Sequence, residues 1–367
     1  MEEKIKTIEN IATEKIKLDE HSRIIYREIT NNEGELIDSD RYKYFTGKNH
    51  PIGVSKYTHG DETVHEIEFV YDSHQNVINF FESGKSFAGY TYGNYIFEGL
   101  YEEYENYDDI FPEEHYYRYD DRHRLISECI NGEASQFIYD NSGNIKIKST
   151  GKNTYVFEYH SNKLKSVAVV CGSKIETAAF AYDANGLPRV YRNCYLKWDN
   201  SGRLTEFDGV YFSYDESSNR KTKNDASYEY DDGKLIKETR KSYTLEYFYG
   251  LNGMIAFKFN DKLYYYIKNP FGDVSRIADE NNNIVAEYRY DAFGNHKVYN
   301  PDYTENTSTD FIGNINPIRY RGYYYDTETK LYYINNRYYD SDLCIYVSPD
   351  PKNGEIFKPN LDTRFKI

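Results

Sequence analysis

The chain has 367 residues, a formal net charge of −15 and 43 tyrosines. The negative charge argues against nucleic acid as a partner, because phosphate binding needs an excess of basic groups. No apolar run is long enough to span a membrane, and the start Met1-Glu2-Glu3-Lys4 shows no signal peptide, so composition leaves the location open. The many tyrosines favour strands, in which rings pack across a pleated surface.

The N-terminal segment, residues 1–60, diverges from the pattern that follows it. Residues 1–20 fit a weak amphipathic helix through Ile5 and Ile8. They also fit strands, one of which would bury Ile16. Both interpretations stay open at the level of the sequence.

A repeat occupies residues 61–249: an aromatic residue, Asp, a polar turn that often contains Gly, and an aliphatic residue. From Tyr182 to Tyr230 the aromatic position returns every 16 residues. Such a period accommodates two strands and two turns, which predicts a continuous antiparallel ribbon whose units stabilise one another. The motif residues are Tyr139, Asp140, Gly143, Trp198, Asp199, Gly202, Tyr214, Asp215, Tyr230, Asp231 and Gly233, and beyond this region Tyr290, Asp291 and Gly294.

One unit of the repeat can be interpreted completely. It predicts strands at 204–207 and 210–214, joined by the tight turn Asp208-Gly209, because Asp-Gly suits a turn whose two central residues need positive φ. The same turn chemistry recurs at Asn131, which a glycine follows. In the longer turns, Asp is expected to accept backbone N–H bonds and Gly to take the left-handed position. The tyrosine before each longer turn is expected to stack on the tyrosine of the next unit.

An acidic, aromatic-rich stretch interrupts the repeat at 101–115, in the long gap between Tyr71 and Tyr119. One hypothesis is a loop that binds a divalent cation or a basic partner. The favoured hypothesis is a solvated insertion over degenerate repeats, because charge runs are usually solvated faces.

Groups that carry catalysis or bind metals form no recognisable pattern in this sequence. His65-Glu66 is not followed by the second histidine of a zinc-protease motif, and no Gly-x-Ser-x-Gly elbow, phosphate loop or dinucleotide fingerprint occurs. The cysteines are widely spaced, and free, mostly buried thiols are the preferred interpretation. The sequence therefore predicts no enzyme, no metal site and no cofactor. The four cysteines are Cys129, Cys171, Cys194 and Cys344.

From about residue 250 the chain resembles a known family. Residues 266–295 resemble the final repeats of Rhs and YD-repeat proteins, and residues 317–351, here named the core segment, resemble the Rhs repeat-associated core. The resemblance implies final repeats and core over 250–351, with 352–367 as a short basic tail. It implies an all-β antiparallel ribbon that spirals into a partial shell. In bacterial members the shell encloses a C-terminal toxin, teneurins use a similar shell in cell adhesion, and members are commonly secreted or at the cell surface.

The core segment repeats a pattern of tyrosines followed by aspartate on both sides of residues 331–333. This pattern predicts two tight hairpins, turning at Asp326 to Lys330 and at Asp340 to Cys344. Lys330 and Cys344 stand where the family usually places Gly, which loads each turn with a less permissive residue. The arginines of the segment are expected to pair with its aspartates or to stack on rings. The structural residues expected here are Arg319, Arg321, Gly322, Asp326, Arg337 and Asp340.

Asp350 matches an aspartate that belongs to the autocleavage apparatus of the family. Only 16 residues follow Pro351, and neither the second aspartate motif nor a toxin domain is visible in them. We therefore expect Asp350 to be an inactive turn residue and the chain not to cut itself, because an aspartyl site needs a pair of carboxylates.

Two functional hypotheses follow from these residues. The first is a non-catalytic shell or scaffold fragment of a bacterial Rhs-type polymorphic-toxin system that lacks its own toxin domain, with a toxin or another Rhs-shell protein as partner. The second is a cell-surface or carbohydrate-binding module, in which exposed tyrosines would stack on a glycan. An enzyme is the least supported class, because no constellation of reactive groups converges.

Overall fold

The computed structural model describes residues 2–44, 51–57, 63–71, 77–82, 90–92, 95–97, 113–334 and 336–349. These residues form strands almost throughout, and consecutive strands pair antiparallel. The strands of the first half are β1 (Glu2–Ile8), β2 (Ala12–Leu18), β3 (Ile24–Asn31), β4 (Leu36–Tyr44), β5 (Pro51–Tyr57), β6 (Thr63–Tyr71), β7 (Val77–Glu82), β8 (Tyr90–Tyr92), β9 (Tyr95–Phe97), β10 (Glu113–Tyr119), β11 (Leu125–Ile130), β12 (Glu133–Tyr139), β13 (Ile145–Thr150), β14 (Asn153–His160), β15 (Lys163–Cys171) and β16 (Lys174–Ala179).

The second half continues the same pattern. Its strands are β17 (Ala181–Tyr182), β18 (Pro188–Tyr191), β19 (Cys194–Trp198), β20 (Leu204–Phe207), β21 (Val210–Tyr214), β22 (Arg220–Lys223), β23 (Ala226–Asp231), β24 (Lys234–Thr239), β25 (Thr244–Tyr249), β26 (Met254–Phe259), β27 (Lys262–Lys268), β28 (Val274–Asp279), β29 (Ile284–Tyr290), β30 (His296–Tyr299), β31 (Tyr324–Asp326), β32 (Leu331–Ile334), β33 (Arg337–Asp340) and β34 (Ile345–Tyr346). A single helical turn, α1 (Ile312–Ile315), and a 3₁₀ turn at Tyr320–Gly322 lie between β30 and β31.

The strands form two large sheets, which together are called the wall. The first contains fourteen strands, β1 to β7 and β10 to β16, and the second contains fourteen strands, β17 to β30, each in chain order. Within the described part of the chain neither sheet closes on itself. The core segment forms a separate four-stranded sheet, β31 to β34. The all-β antiparallel architecture predicted from the repeat is confirmed.

The N-terminal segment is made of strands, which decides between the two interpretations of residues 1–20. β1 and β2 pair as a hairpin, with Glu2 opposite Leu18. Along β2 the buried positions alternate with partly exposed ones, which is the period of a strand and not of a helix. Ile11 and Ala12 share a buried cluster with Ile255, so this segment packs on the final repeats.

The acidic stretch falls where the first sheet skips two strands. β7 pairs directly with β10, with Glu82 opposite Glu113. β8 and β9 pair with each other as a separate hairpin. The acidic residues 101–112 lie outside the described residues, and His115, at the end of the stretch, is buried in β10.

The predicted repeat unit is confirmed in detail. β20 and β21 are the strands expected at 204–207 and 210–214. Asp208 and Gly209 join them with φ values of 46° and 84°. Asn131 and the glycine after it have φ values of 49° and 84°, which is the predicted tight turn.

The largest buried cluster joins both sheets of the wall to the core segment. Phe137 of the first sheet lies 5.0 Å from Phe293, measured between ring centroids. Phe212 of the second sheet lies 5.4 Å from Tyr338 of the core segment. The core segment is therefore packed against the strands of the wall, with aromatic rings among the residues in contact. No helix among the residues described here is long and apolar enough to cross a membrane.

Candidate functional site

The long turns of the wall share one geometry. At Asp199, Oδ1 accepts the backbone N–H groups of Ser201 and Arg203 at 2.9 Å, and Oδ2 accepts a bond from the Arg203 side chain at 2.7 Å. Gly202 has a φ of 75°, the left-handed conformation expected for it. The same arrangement recurs with Asn in place of Arg at Asp140 with Asn144, Asp215 with Asn219 and Asp291 with Asn295. Sequence reasoning missed this Arg or Asn, although its constant spacing of four residues was visible.

The repeat at Tyr230 differs from the expected long turn. Asp231 still belongs to β23 and pairs with Lys234. The turn consists of Asp232 and Gly233, with φ values of 47° and 71°. An Asp-Gly pair directly after the strand closes a two-residue hairpin, so Asp231 does not lead the turn.

The motif tyrosines join neighbouring units through their hydroxyl groups. Tyr139 donates to the carbonyl of Leu125 at 2.7 Å, and Tyr214 donates to the carbonyl of Leu204 at 2.9 Å. The guanidinium of Arg203 lies over the ring of Tyr214, with its Cζ atom 5.1 Å from the ring centroid. The stacking predicted between consecutive motif tyrosines is wrong for these rings, because the Arg of the preceding turn covers the ring face and the hydroxyl reaches a backbone acceptor. Trp198 and Tyr290 make equivalent bonds to the carbonyls of Pro188 and Val274.

The core segment forms the two hairpins that were predicted. β31 and β32 turn after Asp326, and β33 and β34 turn after Asp340. Lys330 and Cys344 both have a φ of 59°, in the left-handed region that favours glycine. The departures from the family's usual glycines therefore do place strained residues at these two turns.

Asp326 is held by cations of the wall. Its carboxylate is fully buried, 2.6 Å from the guanidinium of Arg220 and 2.7 Å from the ammonium of Lys223. Arg220 is also surrounded by aromatic rings, the closest being Tyr333 at 4.4 Å. Lys223 has a second carboxylate partner, Glu328, at 2.7 Å. Because both cations are buried with the carboxylate, removing Asp326 would leave Arg220 without this carboxylate and Lys223 with Glu328 as its remaining partner.

Asp340 occupies the equivalent place in the second hairpin and is also held by the wall. It accepts bonds from the hydroxyl of Tyr191 at 3.0 Å and from Arg192 at 3.2 Å. Burial raises the pKa of Asp340, an effect that Arg192 opposes. Asp342 also pairs with Arg192, and its backbone carbonyl accepts a bond from Lys148 at 2.8 Å.

The arginines of the core segment stack on rings and bind carbonyl groups, whereas the alternative expectation of pairs with Asp326 and Asp340 is wrong. Arg319 lies 4.9 Å from the ring of Tyr325, and Arg337 lies 4.0 Å from the ring of Tyr346. Arg321 contacts Asp273 at 3.6 Å and donates to the carbonyl of Phe271 at 2.7 Å. The aspartates bind cations of distant wall strands, which cannot be inferred from spacing within the segment.

Two glycines shape the approach of the core segment to the wall. Gly294 has a φ of 91°, and a Cβ there would lie 2.6 Å from the ring of Tyr320. The long turn at Asp291 can therefore pack on the core segment only with glycine at this position. Gly322 has a φ of 71°, and its N–H donates to the carbonyl of Arg319 at 3.0 Å.

Among the described residues, the cysteines and acidic groups form no cluster of reactive side chains. All four cysteines are free, but only Cys344 is buried, so the prediction of mostly buried thiols is wrong; Cys171 is exposed next to a hairpin turn. Within the described ranges, no group of three His, Cys, Asp or Glu side chains could hold a metal ion. Asp350, the residue that matches the family's cleavage aspartate, lies outside the described residues.

The wall consists of repeated antiparallel strands, and a core segment of two hairpins packs against it. This arrangement is typical of an Rhs-type YD-repeat shell. The family model for the teneurin YD-shell matches residues 17–365. The chain belongs to this family.

The chain is also similar to two curated proteins of Bacillus. The chain is 31% identical over 242 residues to the tRNA3(Ser)-specific nuclease WapA of Bacillus spizizenii and to the tRNA nuclease WapA of Bacillus subtilis strain 168. Each match covers 61% of this chain, which spans only 10% of the length of those relatives.

The fold is also similar to two solved structures, the crystal structures of TcdB2-TccC3-Cdc42 and of TcdB2-TccC3 without its hypervariable C-terminal region. Each has a TM-score of 0.55 at 14% identity over 97% of this chain and 20% of the other. At this identity the likeness concerns the fold alone.

Proposed function

We propose that this chain is a non-catalytic wall segment of a toxin-associated shell and that its partner is a toxin domain. The observation that carries the proposal is the junction in which Arg220 and Lys223 of the wall hold Asp326 of the core segment. Buried charges of this kind are paired with one another, so they serve the assembly of the shell and not chemistry on a substrate. The nuclease names of the Bacillus relatives support a toxin domain as the cargo.

The carbohydrate-binding alternative receives less support from the same residues. A stacking platform needs free aromatic faces, but Tyr214 and Tyr139 use their hydroxyls on wall carbonyls and their ring faces on Arg203 and Arg124. The tyrosines that characterise the repeat are therefore engaged within the wall.

Co-expression with a toxin domain tests the proposed partner. The probe is the nuclease domain of the Bacillus subtilis strain 168 relative, produced as a separate tagged chain together with residues 1–367. We expect the two chains to elute together in gel filtration and tRNA cleavage by the bound domain to fall. The Asp326→Asn variant, whose core segment should be loosened, is the matched control. Separate elution and undiminished cleavage would contradict the proposal.

The proposal that the chain is non-catalytic has a separate test. The purified chain alone should leave tRNA intact, and its intact mass should equal that of residues 1–367 after prolonged incubation. Asp350→Asn is the control for self-cleavage. A fragment that ends shortly after Pro351 and disappears in this variant would show that Asp350 is active, and degradation of tRNA by the chain alone would make it an enzyme.

A further inference from the structure

His296, the first residue of β30, lies partly buried between the wall and the core segment. Its Nε2 atom contacts the guanidinium of Arg319, and its Nδ1 atom lies 2.9 Å from the hydroxyl of Tyr332. Its ring meets the ring of Tyr325 edge to face, with centroids 4.5 Å apart. The last wall strand is therefore joined through one imidazole to three residues of the core segment.

The hydrogen-bond donors of this cluster determine the protonation state of the imidazole. An arginine can only donate, so Nε2 of His296 must accept the bond from Arg319 and carries no proton. The hydroxyl of Tyr332 donates to the carbonyl of Gly294 at 2.9 Å, which leaves its oxygen to accept a hydrogen bond from Nδ1–H of His296. The geometry therefore requires a neutral imidazole with its proton on Nδ1.

Arg319 uses its remaining donors to organise the chain that leads into the core segment. Its Nε atom donates to the carbonyl of Asn316 at 3.1 Å, and Nη2 donates to the carbonyls of Asn314 at 3.1 Å and Gly313 at 3.5 Å. These carbonyls belong to the end of α1 and the residues after it, where backbone acceptors have no partner within the helix. The contact with His296 thus connects this whole turn to β30.

The charged surroundings of His296 contain no compensation for a second positive charge. The rings of Tyr290, Tyr325 and Tyr332 face it from β29, β31 and β32. Burial raises the pKa of all three phenols, so they stay neutral. Among the residues that the structure describes, no carboxylate forms an ion pair with Arg319 or His296. Of nearby acids, Asp273 pairs with Arg321.

We propose that the contact between His296 and Arg319 is an acid-sensitive lock that holds the core segment to the last strands of the wall. A proton added at Nε2 would remove the acceptor for Arg319 and place two cations against each other. The bond between them is then lost, and with it the hydrogen-bonded connection through Arg319 between β30 and the turn from Gly313 to Arg319. The core segment would detach locally while the ion pairs of Asp326 and Asp340 remain, since these lie on other wall strands.

The pKa of His296 has the direction that such a lock needs. Burial, followed by the charge of Arg319, lowers the pKa of His296 well below its usual value. In the unfolded chain a histidine binds its proton near pH 6.5. Below that pH the unfolded or detached state takes up a proton that the locked state refuses, so stability is complete above about pH 6.5 and falls as the pH drops towards the lowered pKa.

The lock can be tested on the full chain without any cargo, so its failure is independent of the proposed toxin partner. Urea unfolding is measured between pH 7.5 and pH 5 for the wild type and for His296→Gln, whose amide oxygen can still accept from Arg319 but does not titrate. His160→Gln, on an exposed strand end, is the matched control. One proton per molecule changes the unfolding constant by about tenfold per pH unit. As the pH falls below about 6.5, we expect this additional increase of the unfolding constant in the wild type and in His160→Gln. We expect it to be absent in His296→Gln. Parallel profiles for wild type and His296→Gln would overturn the proposal.

Two measurements on the wild type keep the test decisive if His296→Gln fails to fold. Deuterium exchange at the imidazole Cε1 atom reports the titration of each histidine, and His296 should titrate well below about pH 6.5. Below pH 6, the amide-exchange rate relative to the intrinsic rate at the same pH should rise in peptides covering 312–334 before it rises in peptides covering 204–231. A His296 titration near the ordinary value, or a uniform rise in both regions, would overturn the lock.

Discussion

The wall and the core segment use the same residue types in opposite ways. In the wall, Asp199 pairs with Arg203, four residues away, and both side chains are about a quarter exposed. In the core segment, Asp326 pairs with Arg220 and Lys223, which lie 106 and 103 residues away, and all three are buried. One ion pair shapes a turn, and the other assembles the tertiary structure.

The comparison teaches that aspartates with similar sequence surroundings have very different energetic weight. A partly exposed pair between neighbours contributes about 0–1 kcal/mol, because water screens it and the turn can form without it. Breaking a buried pair costs about 3–5 kcal/mol, because the remaining charges stay desolvated. Since Asp326 and Asp199 both follow an aromatic residue, the motif alone does not separate these two cases.

The largest effect is expected from removing the core segment altogether. Deletion of residues 317–351 should expose the aromatic faces of the wall that pack on Tyr338 and its neighbours, and so cause aggregation. Gel filtration and light scattering against the full chain measure this. A soluble, monomeric deletion product of equal stability would show that the wall does not need the segment.

The next largest effect should come from the buried ion pair. Asp326→Asn keeps the shape of the side chain but leaves Arg220 and Lys223 without this carboxylate, and should lower the free energy of unfolding by about 3–5 kcal/mol. Asp199→Asn, the matched change in the wall, should cost about 1 kcal/mol or less. Urea unfolding at pH 7 measures both. Equal losses would remove the distinction between the two regions.

A smaller effect should separate a tyrosine that serves both regions from one that serves only the wall. Tyr214 donates to the carbonyl of Leu204 and also lies 3.1 Å from the hydroxyl of Tyr338, whereas Tyr139 makes only the wall bond. Each Tyr→Phe change should cost about 0.5–1.5 kcal/mol, with Tyr214→Phe the larger of the two. Tyr211→Phe, on an exposed ring, is the control and should leave the unfolding midpoint unchanged.

The last effect is confined to the acid limb of the stability curve. Burial would raise the pKa of Glu328, but Lys223 and Arg240 override this and lower it to about 2. Because the pKa is depressed in the folded state, the stabilisation is complete above about pH 4.5 and is lost as the pH falls towards 2. Glu328→Gln should therefore flatten the decline of stability between those values. Glu229→Gln, an exposed residue of β23, controls for the loss of one negative charge.

The sequence by itself determined the features whose causes lie within a few residues. The 16-residue period predicted β20 and β21, and the chemistry of Asp-Gly predicted the turn at Asp208 with its positive φ. The strained turns at Lys330 and Cys344 were expected from the family resemblance, because the family usually places Gly at these two positions, where a left-handed residue is needed. The repeated tyrosine-aspartate pattern within residues 317–351 predicted the two hairpins of the core segment.

Tertiary structure alone decided which distant groups meet. The partners of Asp326 and Asp340, the direct pairing of β7 with β10, and the neutral imidazole of His296 against Arg319 all depend on strands far apart in sequence. No period or turn rule specifies such contacts, because they form only when the core segment packs on the wall and water leaves the junction. The burial that results is also what gives these charges their energetic weight, since a low-dielectric environment strengthens paired charges and penalises unpaired ones.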